Sequence, residues 1–381
     1  EICACLVGSE MCIRDRANFD DRLTRMQAKE EPKLFLLNNP QPLFIDEVQK
    51  ESSILEDIKQ IVDESDERGM FILSGSQKLE LMKGMSESLA GRVSISELTG
   101  LSMREIYGVK FNRHFIPTDA YIKEREKEIV KYDNIWEIIH KGSYPELYDI
   151  DRDWQEYYSS YVATYLERDI NELVAADGIT FTKFLTAVAA RTGELLNYSN
   201  IAGDVGVSEP TIKNWISILE RTGIVYLLQP YSASALKRAI KTPKLYFRDT
   251  GLACYLTRWL TADTLKCSAV AGNMFETFVV SEILKSYSNE GKDYRFNIFY
   301  YRGKDRNASG ENEIDLVIEE DGVLYPVEIK MSGNPKASMG ATNQVLDKVS
   351  DKKRGLGVIL CLIDKKTYLR ENLVALPIEF I

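Results

Sequence analysis

Asp315, Glu328 and Lys330 carry the most specific chemistry in this sequence. Asp315 stands near the start of an apolar run, Glu313-Ile314-Asp315-Leu316-Val317-Ile318, and Asp321-Gly322 supplies a turn. The chain then returns through Val323-Leu324-Tyr325-Pro326-Val327-Glu328-Ile329-Lys330, the pattern of a β-hairpin. Side chains alternate along a strand, so Glu328 and Lys330 share a face. Two carboxylates and an ammonium converging across a hairpin can hold Mg²⁺ or Mn²⁺ and orient a water for attack on a phosphodiester. The alternatives are a surface hairpin with a paired Glu and Lys, or a fold that keeps these residues only to bind nucleic acid or a partner.

The elements that must position this hairpin are legible upstream. Phe275, Phe278, Val279, Ile283 and Leu284 form the apolar stripe of a helix that also carries Glu276, and Tyr300-Tyr301-Arg302 ends a strand. The order helix, Asp, Glu-x-Lys resembles the PD-(D/E)xK nuclease core. That resemblance implies a restriction-endonuclease-like α/β domain, with Glu276 as the helix acid, Asp315 and Glu328 as metal ligands, and Lys330 positioning the nucleophile or stabilising charge. Asp315 lies in Glu-Ile-Asp rather than after proline, a departure from the pattern.

A second pair of acids ends a second apolar run, Pro42-Leu43-Phe44-Ile45-Asp46-Glu47. A buried parallel strand would deliver Asp46 and Glu47 at its C-terminal edge, where open α/β sheets keep their ligand sites. Any strand followed by an acidic loop gives the same pattern, but the context is more particular. Helical spacing follows over Ser53–Glu67, then a strand Met70-Phe71-Ile72-Leu73 ending in Ser74-Gly75-Ser76-Gln77, then Glu87-Ser88-Leu89-Ala90-Gly91-Arg92. The succession FIDEVQ, FILSGSQ, ESLAGR and LTGLSMREI resembles the ATPase module of a prokaryotic AAA-type P-loop family in which a domain of unknown function follows. The likeness continues through Gly142–Tyr148 and Tyr161–Ile170. It implies ATP as ligand, Asp46 as the Mg²⁺ acid, Glu47 as the catalytic carboxylate, Ser76 as a sensor of the γ-phosphate and Arg92 as a charge stabiliser. No G-x-x-x-x-G-K-[ST] occurs anywhere in the chain. Glu1 to Arg16 is Cys-rich, lacks either periodicity and looks like translated sequencing adapter, so the biological sequence is expected to begin near Ala17 with the phosphate-binding loop lost upstream. By this reading the parent protein binds and hydrolyses ATP and the present polypeptide does not bind it tightly.

Between the two sites lies a winged-helix pattern. Phe181–Thr192 reads as an amphipathic helix, and Tyr198–Ser208 resembles the first helix and turn of a helix-turn-helix, with Gly206 as the left-handed residue and Ser208 as cap. Glu209–Thr222 buries Ile212, Trp215, Ile216 and Leu219, and Val225–Leu228 with Leu245–Phe247 would form the wing. A DNA-reading version would present Thr211, Lys213 and Asn214, with Lys237, Arg238, Lys241 and Lys244 on the wing loop. The same module also serves as packing inside multidomain ATPases.

The 381 residues, 44% apolar and 28% charged, are expected to hold several domains. These are an AAA-type ATPase domain at 17–115, a helical segment at 116–178, the winged-helix segment at 179–250 and the nuclease-like domain at 251–381. A net charge of −10 argues against nonspecific coating of nucleic acid but leaves room for a local basic groove. Six cysteines without a CxxC pair, and only His114 and His140, offer no Cys/His zinc spacing and fit a reducing cytoplasm. The longest apolar run, Gly355–Ile363, is too short to span a membrane. The leading expectation is an ATP-regulated protein acting on DNA with a divalent metal and forming homo-oligomers as AAA modules do. The alternative is a non-catalytic ATPase switch whose C-terminal half binds a protein partner.

Overall fold

The structure is a computed structural model that describes residues 15–76, 89–149, 151–170, 177–232, 242–304, 311–349 and 351–381. It divides into two compact units, Glu1–Leu98 and Thr99–Ile381.

In the first unit three parallel strands, β1 (Asp15–Asn18), β2 (Leu43–Asp46) and β3 (Phe71–Leu73), lie in the order β1-β2-β3. Leu43, Phe44 and Ile45 are buried, as the unbroken apolar run requires of a strand covered on both faces. Helices α1 (Arg22–Glu30), α2 (Pro32–Asn38) and α3 (Ile54–Asp63) supply the cover, with Ala28, Phe35, Leu36, Ile54, Leu55 and Ile58 in one core. Because β2 and β3 run parallel, α3 must carry the chain back to the opposite edge of the sheet. Strand β1 starts at Asp15, two residues ahead of the expected start at Ala17, and Arg16 pairs in register with Phe44.

The second unit opens with helices α4 (Met103–Ile106), α5 (Asp119–Arg125), α6 (Ile135–Lys141), α7 (Glu146–Asp149) and α8 (Trp154–Tyr161), the last continuing as π-helical turns through Val162–Ile170. Helices α9 (Gly178–Ala189), α10 (Tyr198–Val205) and α11 (Glu209–Arg221) follow, with a small antiparallel sheet of β4 (Glu194–Leu195), β5 (Val225–Leu228) and β6 (Lys244–Phe247) in the order β4-β6-β5. Gly206 at φ 86° ends α10, and the Ser208 side chain accepts the Thr211 N–H at the start of α11. Next come α12 (Thr250–Leu256), α13 (Ala262–Lys266) and the 19-residue α14 (Ala271–Asn289). The C-terminal sheet has β7 (Ile298–Lys304), β8 (Glu311–Glu320), β9 (Val323–Lys330), β10 (Lys353–Arg354), β11 (Gly357–Cys361), β12 (Thr367–Arg370) and β13 (Leu373–Pro377). Their order is β12-β13-β11-β9-β8-β7, with β10 paired to β9. β7, β8 and β9 are antiparallel neighbours, while β11 runs parallel to both β9 and β13.

The domain limits differ from expectation in two ways. The first unit closes at Leu98 rather than near residue 115, because α14 holds residues 101–115 through its polar face. Met103 N–H donates to the Glu282 carboxylate at 2.8 Å, the Lys285 ammonium to the Leu101 carbonyl at 2.9 Å and Phe115 N–H to the Ser286 hydroxyl at 3.0 Å. The segments expected as separate domains at 116–178, 179–250 and 251–381 also share one hydrophobic core, which runs from Met103 through Phe184, Trp215 and Phe275 to Ile381.

That core shelters a titratable ring. His140 Nε2 lies 2.8 Å from the Trp259 carbonyl, and its ring stacks on Trp154 at 4.2 Å. Burial holds the His140 pKa below its ordinary 6.5, against the pull of that carbonyl. The folded chain therefore binds fewer protons here than the unfolded one, so stability is lost as pH falls through 6.5 and below. The melting temperature is expected to drop on acidification, and to drop less steeply in His140→Gln. Identical pH slopes for the two proteins would refute this.

Candidate metal and nucleotide sites

Register brings the hairpin acids together. Leu316 pairs with Val327, so Asp315 lies across from Glu328. Asp315 Oδ2 accepts the Ile329 N–H at 2.8 Å and the Lys330 ammonium at 2.8 Å. The same ammonium stands 2.9 Å from Glu328 Oε2. Glu328 is 4% exposed in its side chain, and its Oε1 has no hydrogen-bond partner. Burial first, and the Asp315 charge second, push the Glu328 carboxyl up to about 8 despite Lys330. Burial opposes the charge on Lys330, but Asp315 and Glu328 outweigh it and raise the ammonium's pKa above 10.5.

Glu276 sits elsewhere in its bonding. Its Oε1 accepts the Tyr246 hydroxyl at 2.6 Å and the Lys244 ammonium at 3.1 Å, and Lys244 also pairs with Glu313 at 2.6 Å. Lys244 therefore belongs to β6 and points inward, 5% exposed, instead of lying on an exposed wing loop. Strand alternation explains it: with Leu245 and Phe247 on one face, Lys244 and Tyr246 share the other and meet α14. Glu313 and the inward Lys244 escaped the sequence reading, although a strand reading begun one residue earlier would have turned Lys244 inward.

Among the described residues no group of three or more His, Cys, Asp or Glu side chains is arranged to hold a metal ion. A two-carboxylate edge remains, and it fits a hard, mostly hydrated ion such as Mg²⁺, which needs only one or two protein carboxylates. The unpartnered, buried Glu328 Oε1 is an open oxygen donor of the right kind.

In the first unit, Asp46 and Glu47 do stand at the C-terminal end of β2, with Glu47 in the left-handed region at φ 54°. Asp46 accepts the Ser74 hydroxyl at 2.5 Å and lies 3.6 Å from the Arg16 guanidinium. Glu47 Oε2 accepts the Ser76 hydroxyl at 3.0 Å and the Gln49 amide at 2.7 Å. Gln49 covers Gly75 so closely that a Cβ there would lie 2.1 Å from the Gln49 Oε1. Ser74 and Gln49 were not singled out from the sequence; both neighbour chosen residues, but only the paired strand ends bring them to the acids. Arg92 goes elsewhere: it forms a two-pronged pair with Asp63. Asp63 closes α3, so Arg92 is tied to the end of that helix. Two acids stand together at the end of a parallel strand, whereas the sequence offers no Gly-Lys-Ser/Thr loop to cradle phosphates.

On α11, Asn214 is exposed, Lys213 pairs with Glu209 at 2.8 Å, and Thr211 shares a hydrogen bond with Ser208 at 2.7 Å. Lys237, Arg238 and Lys241, like residues 1–14, lie outside the described residues. No described helix is long and apolar enough to cross a membrane.

Comparisons with known proteins bear on the class of the first unit. Residues 15–107 match the model of an AAA domain, a class that binds nucleotide and usually Mg²⁺. Residues 132–263 and 271–381 match two domains of unknown function, DUF8612 and DUF4143. The chain thus carries an AAA domain followed by domains of unknown function. It is similar to uncharacterised proteins of Mycobacterium bovis and Mycobacterium tuberculosis, each 27% identical over 323 residues, which make up 83% of this chain. The chain spans 65% of the length of those relatives. A crystal structure of protein VC1899 from Vibrio cholerae, 10% identical, aligns over 97% of this chain and 90% of its own with a TM-score of 0.19, a likeness that carries no argument.

Proposed function

We propose that the protein is an AAA-type ATPase joined to a nuclease-like domain that acts on nucleic acid with Mg²⁺ or Mn²⁺ at Asp315 and Glu328. The observation that carries this reading is the convergence of Asp315, Glu328 and Lys330 across the β8–β9 hairpin, with one Glu328 oxygen buried and unpartnered. A bound divalent ion supplies Lewis acidity to a phosphate oxygen and a more acidic water. Asp315 and Glu328 would hold it, and the Ile329 N–H fixes the Asp315 carboxylate in place. Lys330, released from the carboxylates it now pairs, would neutralise charge building on the phosphate. In this reading α10, α11 and the β5–β6 hairpin form a winged helix that lays Thr211, Lys213 and Asn214 on DNA. The Lys213–Glu209 pair is exposed and solvent-screened, so it yields easily to a phosphate. In the intact protein Asp46, Glu47 and Ser76 would attend the nucleotide, and the AAA domain would regulate the nuclease.

The test is cleavage of labelled single- and double-stranded DNA with Mg²⁺ or Mn²⁺, comparing the chain with Glu328→Gln. Cutting that needs metal and falls by about 10²-fold or more in the variant supports the reading. Metal-dependent cutting untouched by Glu328→Gln refutes it. A folded protein that neither cuts nor binds metal points to the non-catalytic switch with a protein partner.

A further inference from the structure

Lys244 has no part in a two-carboxylate metal edge, yet its ammonium is buried among acids. Burying such a cation costs several kcal/mol unless partners satisfy it. The partners here are Glu276 at 3.1 Å and Glu313 at 2.6 Å, with the Tyr300 ring centred 5.9 Å away. The Asp315 charge acts on both Lys244 and Glu276, so Lys244 stands beside the Asp315–Glu328 edge. Of the four carboxyls there, Glu276 and Glu313 go to Lys244, while Asp315 and Glu328 share Lys330. Lys244 is also delivered from outside the C-terminal sheet. It stands on β6, and the segment after β5 is tied to β7 by Tyr231 N–H donating to the Tyr300 carbonyl at 2.6 Å and Tyr300 N–H to the Gln229 carbonyl at 3.1 Å.

We propose that Lys244 is an internal cation that withholds Glu276 from metal, so that the folded site binds a divalent ion weakly through Asp315 and Glu328 alone. The inference rests on the metal-edge reading given above. It makes the small β4-β6-β5 sheet part of the C-terminal site, because that sheet sets how many carboxylates an ion can reach.

Mn²⁺ binding, followed by the loss of the free-ion electron paramagnetic resonance signal and by calorimetry, reads this without any catalysis. Lys244→Met is expected to bind Mn²⁺ about tenfold tighter or more, as a third carboxylate becomes available. Glu276→Gln in the wild-type background should change affinity by less than about twofold, and the Lys244→Met/Glu276→Gln pair should forfeit the gain. Unchanged affinity in a folded Lys244→Met protein overturns the proposal. So does a Glu276→Gln protein that loses as much affinity as Asp315→Asn, and this arm decides alone if Lys244→Met does not fold. Indifference of wild-type binding to Asp315→Asn discards the two-carboxylate edge, while a Lys244→Met gain that needs Glu276 still upholds the role of Lys244. Absence of Mn²⁺ binding in the folded wild-type protein overturns both.

Discussion

Asp249→Ala is expected to destabilise the Thr99–Ile381 unit by about 3–5 kcal/mol, because it leaves several buried hydrogen-bond donors without an acceptor. Asp249 is 6% exposed and accepts four hydrogen bonds: Ser143 N–H at 2.6 Å, the Ser143 hydroxyl at 2.8 Å, the Tyr158 hydroxyl at 2.7 Å and Leu252 N–H at 2.7 Å. It caps α12 while fastening α6 and α8 to it, so three helices depend on one carboxylate. The surroundings leave no slack. A Cβ at Gly142, φ 84°, would lie 2.2 Å from the Tyr158 hydroxyl oxygen, and one at Gly251 would meet the same atom at 2.2 Å. Alanine strands the Ser143 N–H, the Ser143 hydroxyl and the Leu252 N–H, while the Tyr158 hydroxyl keeps the Lys141 carbonyl at 3.1 Å, and each orphaned donor costs about 1–3 kcal/mol before relaxation. The melting temperature should fall by roughly 10 °C, at about 2–4 °C per kcal/mol for a unit of this size. Asp249→Asn, which keeps the shape and one acceptor oxygen, should lose less. A shift below about 1 kcal/mol in Asp249→Ala would show that the network contributes little.

Lys330→Met should have an effect of similar size with a different remedy. Its ammonium is the counter-charge for both Asp315, at 2.8 Å, and Glu328, at 2.9 Å. Methionine keeps the length of the side chain and removes the charge, leaving two carboxyl groups facing each other across the hairpin. Because Lys330 is 35% exposed and solvent screens part of its charge, the loss should lie at the low end of the range for breaking a buried pair, about 3 kcal/mol. Millimolar Mn²⁺ should return part of that stability, because the ion replaces the missing positive charge. Loss without recovery on adding Mn²⁺ would mean that Asp315 and Glu328 do not form a cation site. Calorimetric melting with and without the ion makes the comparison, and Leu316→Ala on the adjoining buried position, equally destabilised but with both acids and Lys330 intact, controls for general weakening.

Much of this protein follows from local sequence. Leu43–Ile45 followed by Asp46 and Glu47 reads as a covered strand ending in acids, and the chain forms it. Asp315, the turn at Asp321-Gly322 and Glu328-x-Lys330 form the hairpin whose register sets those side chains together. Gly206 and Ser208 end one helix and start the next for reasons of backbone conformation and capping that act within a few residues. Tertiary packing decided what these elements meet. Residues 101–115 follow on from the AAA pattern, whose match runs to residue 107, yet Glu282, Lys285 and Ser286 bind them into the second unit. Arg92 could have reached the nucleotide edge but pairs with Asp63, and Lys244 left the basic loop for Glu276 and Glu313. Periodicity, caps and turns are properties of a few successive residues, so a single sequence displays them. The partner of a charged side chain is set by which distant elements pack beside it and by the cost of burying it alone, and that is written only in the assembled fold.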